Sequence, residues 1–251
     1  MNSRFTNFTT ENTEKHGENS NQKLRVLRGF LFSVPSVVFS LLNESGFPLV
    51  VLGLGSNLGD SRLIVLDAVK ALSDVLVELR AASLYETAPL YVTDQGSFIN
   101  TAVAGFYPEP LARGASTGGE PQPLRASAEG SARKLLGQIN EIEARFGRDR
   151  ARERRWGERP LDIDILLFGG LTLSSSDLEI PHPRLKERRF ALQPLLELLP
   201  DAQEPGTGIS YRSVCDSLPD QGVRILTISG VTEACLKGKA EPLFYYDKKL
   251  E

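Results

Sequence analysis

Apolar runs of strand length and two helical periodicities, in the order strand, helix, strand, strand, helix, strand, predict an α+β fold with a ferredoxin-like βαββαβ core. Two further observations frame that prediction. Residues 171–173 and 189–198 follow the last core strand and add a C-terminal hairpin and helix. The chain has 251 residues, 41% hydrophobic and 24% charged, an ordinary balance for a globular protein. A core of ~150–180 residues buries well over half of its unfolded surface and needs no disulfide or metal staple.

Each element has its own signal. Residues 47–55 form a short apolar run closing on Gly55 and then Ser56-Asn57, a buried strand and turn. From Ser61 to about residue 76, Leu63, Leu66, Val69 and Leu72 recur at three-residue steps with Asp60 or Ser61 as a cap, which is a helix. Residues 77–85 read as a strand, broken at Thr87-Ala88-Pro89-Leu90, and Asp94-Gln95-Gly96 leads into a strand at 98–106. Residues 107–130 are rich in Pro, Gly, Ser and Ala without periodicity and read as a surface insertion. A helix at 132–146 places Leu135, Leu136, Ile139, Ile142 and Phe146 on one face, and Gly147 stops it. A strand at 161–168 closes on Gly169-Gly170, with 171–173 returning beside it, and 189–198 is helical up to Pro200. The domain therefore spans 47–227, between an N-terminal extension (1–46) and a tail (228–251).

Residues 1–28 are polar and read as disordered. The apolar stretch 29–42 is interrupted by Ser33, Pro35, Ser36 and Ser40 and falls short of a membrane span. It starts late for a signal peptide, and the acidic residues around it disfavour a transit peptide. The expected reading is a weakly packed extension or an over-long start, with no membrane partner and a cytoplasmic location. Cys215 and Cys235 lie far apart in no metal-ligand spacing and read as isolated thiols. A net charge of −3 argues against a dedicated nucleic-acid binder, yet seven arginines fall between Arg145 and Arg159.

The chemistry concentrates where that arginine loop meets a strand. In Leu161-Asp162-Ile163-Asp164-Ile165 side chains alternate across the sheet, so Asp162 and Asp164 share a face while their apolar neighbours pack behind. Cα atoms two residues apart on a strand are about 6.5–7 Å apart, a spacing at which two carboxylates share or flank a cation. Mg²⁺ suits such a pair, because it takes its other ligands from phosphate and water. Arg148, Arg150, Arg152, Arg154, Arg155 and Arg159 supply planar, permanently charged donors matched to phosphate oxygens. A solvated basic loop, or an RNA-binding patch with Trp156 stacking on a base, remains an alternative. Acids in the floor of the patch favour phosphoryl chemistry. Gly53-Leu54-Gly55-Ser56-Asn57-Leu58-Gly59 has neither dinucleotide-loop spacing nor a P-loop lysine and reads as a tight strand-to-helix turn.

The stretch Arg155-Trp156-Gly157-Glu158-Arg159-Pro160-Leu161-Asp162-Ile163-Asp164-Ile165-Leu166 resembles the hallmark of the 6-hydroxymethyl-7,8-dihydropterin pyrophosphokinase family. Gly55-Ser56-Asn57-Leu58-Gly59-Asp60, Tyr85-Glu86-Thr87-Ala88-Pro89-Leu90, Phe98-Ile99-Asn100 and Pro181-His182-Pro183, then Arg188 and Phe190, match in order. The resemblance covers roughly residues 49–226 without the insertion, and Ala88 stands where the family often has proline.

That resemblance implies an enzyme that moves diphosphate from ATP to the pterin 6-hydroxymethyl oxygen and releases AMP, a step of folate biosynthesis. It implies two Mg²⁺ ions on Asp162 and Asp164, with Arg148 and Arg159 assisting transfer. Glu143, Arg148, Arg150, Arg159, Ile165, His182 and Arg188 fall at ATP-binding positions. Thr87, Pro89, Leu90, Phe98, Asn100, Trp156 and Phe190 fall at pterin-binding positions, with Phe98 and Phe190 stacking and Asn100 reading the ring edge. ATP and the pterin are the expected partners of a monomeric protein.

Overall fold

The computed structural model describes residues 42–89, 94–111, 122–149 and 157–226. Its main sheet runs β5 (Asp162–Phe168), β1 (Leu49–Ser56), β4 (Phe98–Phe106), β3 (Tyr85–Thr87), β8 (Arg224–Ile225), with β2 (Val77–Ala81) also paired to β4. Every pairing is antiparallel. On one face, Val50, Leu52, Leu54 and Val103 pack with helix α1 (Ser61–Leu72) and helix α2 (Gln122–Arg145). On the other, Leu49, Val51, Ala102 and Ala104 pack with α3 (Arg189–Leu198) and α4 (Tyr211–Ser217). The even and odd residues of β1 thus feed opposite cores, the period-two pattern of a central strand covered on both sides. Among the described residues no helix is long and apolar enough to cross a membrane, and Cys215 is a buried free thiol. Cys235 lies outside the described residues.

The fold corrects several boundaries. Asp60 rather than Ser61 caps α1, its Oδ1 accepting from Leu63 N. The buried stripe of α1 is Val65, Ala68 and Leu72, while Leu63 is 57% exposed. A strict three-residue step falls about 60° short of a full turn each time, so it drifts off the core face. Helix α2 begins at Gln122, inside the stretch read as insertion. Leu124, Ala128 and Ala132 extend the stripe of Leu135, Ile139 and Ile142 backwards. Residues 112–121 lie outside the described residues. The return strand at 173–174 does not pair with β5: β6 (Leu173–Ser174) pairs with β7 (Glu179–Ile180) in a separate two-stranded sheet. Residues 42–46, assigned to the extension, form a turn in which Asn43 Oδ1 accepts from Ser45 N and Phe47 N, and Leu42 bridges Pro48.

Candidate active site

A gap in the sheet surface makes the site. In register across the strands, Asp162 lies opposite Gly55, which lies opposite Asn100; Asp164 lies opposite Gly53, which lies opposite Ala102. Residues in one cross-strand row share a face. The two glycines therefore leave β1 bare between carboxylates on β5 and Asn100 on β4. The clearance is needed, because a Cβ at Gly55 would sit 2.9 Å from Asn100 Oδ1. The resulting cleft encloses about 820 Å³ of space, its open mouth included. Thr87, Phe98 and Asn100 line one side, Asp162, Asp164 and Arg159 another, and Arg188 and Phe190 close the α3 end.

Asp162 accepts from Arg148 Nη1 at 2.6 Å and from Arg159 Nη1 at 2.9 Å. Burial works to raise its pKa, but the Arg159 and Arg148 charges outweigh that and hold it below the usual carboxylate range. For Asp164, burial first and the Asp162 charge second push the pKa up to about 7, against the pull of Arg188. Arg188 Nη1 stands 3.4 Å from Asp164 Oδ2, its guanidinium lies 5.7 Å from the Phe190 ring centroid, and its buried Nε has no hydrogen-bond partner.

Arg148 and Glu143 stand behind the cleft rather than in its lining. Glu143, 1% exposed, accepts from Ile163 N at 2.8 Å and pairs with Arg148. Since β5 is an edge strand, that carboxylate satisfies an outward N–H the sheet cannot. At this burial Glu143 is no solvated surface side chain.

His182 is carried beside β5 by its backbone N–H, which donates to Leu166 O at 3.1 Å. Its Nδ1 accepts from Arg184 N at 3.1 Å, and its Nε2 stands 3.3 Å from Arg188 Nη1 and 3.6 Å from Asp164 Oδ2. Burial, reinforced by the Arg188 charge, lowers its pKa to about 4.

Asn100 Nδ2 donates to Thr87 Oγ1 at 2.8 Å, fixing the orientation of that amide. Neither Phe98 nor Phe190 is fully buried, and both line the cleft. Ala88 contributes to the lining and Pro89 does not. The Ile165 side chain is 5% exposed in the core beneath β5, opposite Asp164, so only its backbone faces the site. Leu90, Arg150, Arg152, Arg154, Arg155 and Trp156 lie outside the described residues. Sequence reasoning missed Gln95, which lines the cleft, and the two glycines as its floor. The i, i+2 spacing of Gly53 and Gly55 on an apolar strand was the available signal for the floor.

Two carboxylates set among guanidinium groups, beside a flat slot edged by aromatics and an amide, suit a polyphosphate next to a planar heterocycle. The comparisons with known proteins agree. The family model described as 7,8-dihydro-6-hydroxymethylpterin-pyrophosphokinase matches residues 51–111 and 123–200. The chain is 38% identical over 153 residues to a Methylorubrum extorquens protein named 2-amino-4-hydroxy-6-hydroxymethyldihydropteridine pyrophosphokinase, covering 60% of this chain and 82% of that protein. An Aquifex aeolicus protein of the same name is 32% identical over 157 residues, covering 62% and 83%. The mitochondrial folate synthesis bifunctional protein of Pisum sativum is 37% identical over 165 residues, covering 65% of this chain and 28% of that longer protein. With the match running from the first core strand to the end of α3 and breaking only across 112–122, the chain belongs to the 7,8-dihydro-6-hydroxymethylpterin-pyrophosphokinase family.

Proposed function

We propose that this chain transfers diphosphate from ATP to 6-hydroxymethyl-7,8-dihydropterin, giving AMP and the pterin diphosphate. The observation that carries the reading is the row of Asp162, Gly55 and Asn100 across three strands. That row brings Asp162 and Asn100 to one floor, which supports a phosphate-handling cluster beside a heterocycle-reading amide. In the reaction, the pterin hydroxymethyl oxygen gives up its proton to solvent and bonds to the β-phosphorus, while the bond from the β-phosphorus to the α,β-bridging oxygen breaks and AMP leaves with that oxygen. Thr87 and Asn100 orient the ring edge, Phe98 and Phe190 stack on its faces, and Arg159 and Arg188 bind phosphate oxygens. Arg148, Glu143, His182 and the backbone of Ile165 support the nucleotide side, together with Arg150. Pro89, Leu90 and Trp156 complete the pterin side.

The donor set fits Mg²⁺. Among the described residues no group of three or more His, Cys, Asp or Glu side chains converges, so a cation at Asp162 and Asp164 must complete its shell from phosphate and water, as Mg²⁺ does. Those two aspartates would hold the metal, two ions on this reading, which neutralises polyphosphate charge and polarises the reacting group when bound. The sheet order, with β1 between β5 and β4 and the β2–β3 edge beyond, supports a ferredoxin-like core. A cytoplasmic monomer needing no further partner completes the proposal.

A coupled assay for AMP tests it: formation must require both Mg²⁺ and the pterin. Folded protein that forms no AMP above background would leave the alternative of an idle relative that binds nucleotide or RNA through its arginine loop.

A further inference from the structure

Asn57 sits in the turn between β1 and α1, 8% exposed, and bonds to two other segments at once. Its Oδ1 accepts from Arg159 N at 2.9 Å and its own N–H donates to Arg159 O at 3.3 Å. Its Nδ2 donates to Gln95 Oε1 at 3.0 Å. These partners lie 102 and 38 residues away in sequence. Arg159 closes the arginine-rich segment and bonds Asp162, while Gln95 belongs to the segment leading into Phe98 and Asn100.

We infer that Asn57 is a positioning residue that couples the nucleotide side of the cleft to its pterin side. The inference rests on the proposed diphosphate transfer and goes beyond it, because Asn57 itself is not among the residues lining the cleft. An amide is the side chain the position needs, since one end must accept from a backbone N–H while the other donates to a side-chain oxygen. A bond network of this kind is worth more than its separate members, because each bond fixes the orientation that the next requires. The backbone pair between Asn57 N and Arg159 O outlasts side-chain removal, so the segment stays attached while its placement loosens.

The test is a double-mutant cycle on steady-state kinetics. Gln95→Leu removes the bond from Asn57 to the pterin side and raises the pterin KM about tenfold with kcat little changed, the scale of one lost positioning bond. Asn57→Ala removes both arms, raising the pterin KM similarly and also lowering kcat, because Arg159 is no longer held against the reacting phosphates. In the Asn57→Ala background, Gln95→Leu then adds no further rise in KM. Additive effects, or an Asn57→Ala enzyme that melts earlier but keeps its KM and kcat per folded molecule, would overturn the coupling and leave Asn57 a turn residue. A wild-type chain that forms no AMP overturns the proposed function and this inference together. An active wild type with an additive cycle overturns the inference alone.

Discussion

Replacing Glu143 by alanine tests whether the site is built from behind. The substitution strips the acceptor from Ile163 N–H and leaves Arg148, whose side chain is 6% exposed, with Asp162 as its remaining described carboxylate. A buried donor left unpaired costs about 1–3 kcal/mol, and breaking a buried ion pair by removing one partner costs about 3–5 kcal/mol. The two overlap in one carboxylate, so the expected loss is about 3–5 kcal/mol, a large part of a typical domain's stability. Glu143→Gln keeps an acceptor for Ile163 N–H and loses only the charge, so about 1–2 kcal/mol is expected. Urea unfolding at neutral pH measures both, and AMP formation follows Arg148 placement. The Glu143→Gln enzyme slows about tenfold while staying folded. Adding Arg148→Met to Glu143→Ala destabilises less than the sum of the two. A Glu143→Ala loss below about 1 kcal/mol would mean that water replaces the carboxylate, and the buried-support argument fails.

Asp162→Ala and Asp164→Ala each lose nearly all AMP formation while retaining a folded circular-dichroism spectrum; preserved turnover in either would contradict the metal and phosphate role. Gly55→Ala displaces Asn100, whose Oδ1 would lie 2.9 Å from the new Cβ, so the pterin KM rises about tenfold with little change in ATP KM; an unchanged pterin KM would sink the floor argument. The folded-state pKa of Asp164 is raised from 3.8 to about 7, so between those values the metal-free folded chain holds a proton that the unfolded chain has released. Its contribution to stability is complete below about pH 4 and is lost as pH rises through about 7. Each unit is worth about 1.4 kcal/mol before screening, and with 36% of the side chain exposed the loss is closer to 1–2 kcal/mol. Asp164→Asn should remove that component from the pH profile of thermal unfolding and raise Tm above pH 7; a wild-type profile in the variant would refute it.

How far the sequence could be read depended on the range of the interactions. The strand at 98–106 and the helix at 189–198 come out residue for residue, because local patterns set them. The first helix runs shorter than expected, ending at Leu72, where Ser73 N–H and Oγ both turn onto Lys70 O. The start of α2 was hidden because Ala128, Ser131 and Ala132 are small, so an apolar stripe built from them resembles a loop composition. Helix α4, only seven residues long, and the two-residue strands β7 and β8 carry too little periodicity to be seen. In the site, strand alternation was enough to put Asp162 and Asp164 on one face and Phe98 and Asn100 on another strand's face. The contacts of Glu143 with Ile163 and of Asn57 with Arg159 span 20 and 102 residues, and no spacing rule reaches that far.

The arginines do not all have the same freedom, and this separates positioning from transfer. Arg148, 6% exposed, is clamped by Glu143 and Asp162, so its charge is committed to the protein. Arg159, 17% exposed, has its backbone pinned at both N and O by Asn57, while among the described residues its side chain is held through Asp162. Turning that side chain to a phosphate uncovers Asp162 Oδ2, and a partly buried carboxylate that loses one of its charge partners is destabilised. On the proposed reading the move would be favoured when a cation held by Asp162 took the vacated oxygen, which would link phosphate capture by Arg159 to metal binding there. Arg188 is poised in the same way over Asp164, at a longer 3.4 Å and with an unpartnered Nε, so it can release its aspartate at lower cost. The carboxylates of Asp162 and Asp164 thus hold the arginines in place, and on the proposed reading would make their transfer to phosphate conditional on the metal.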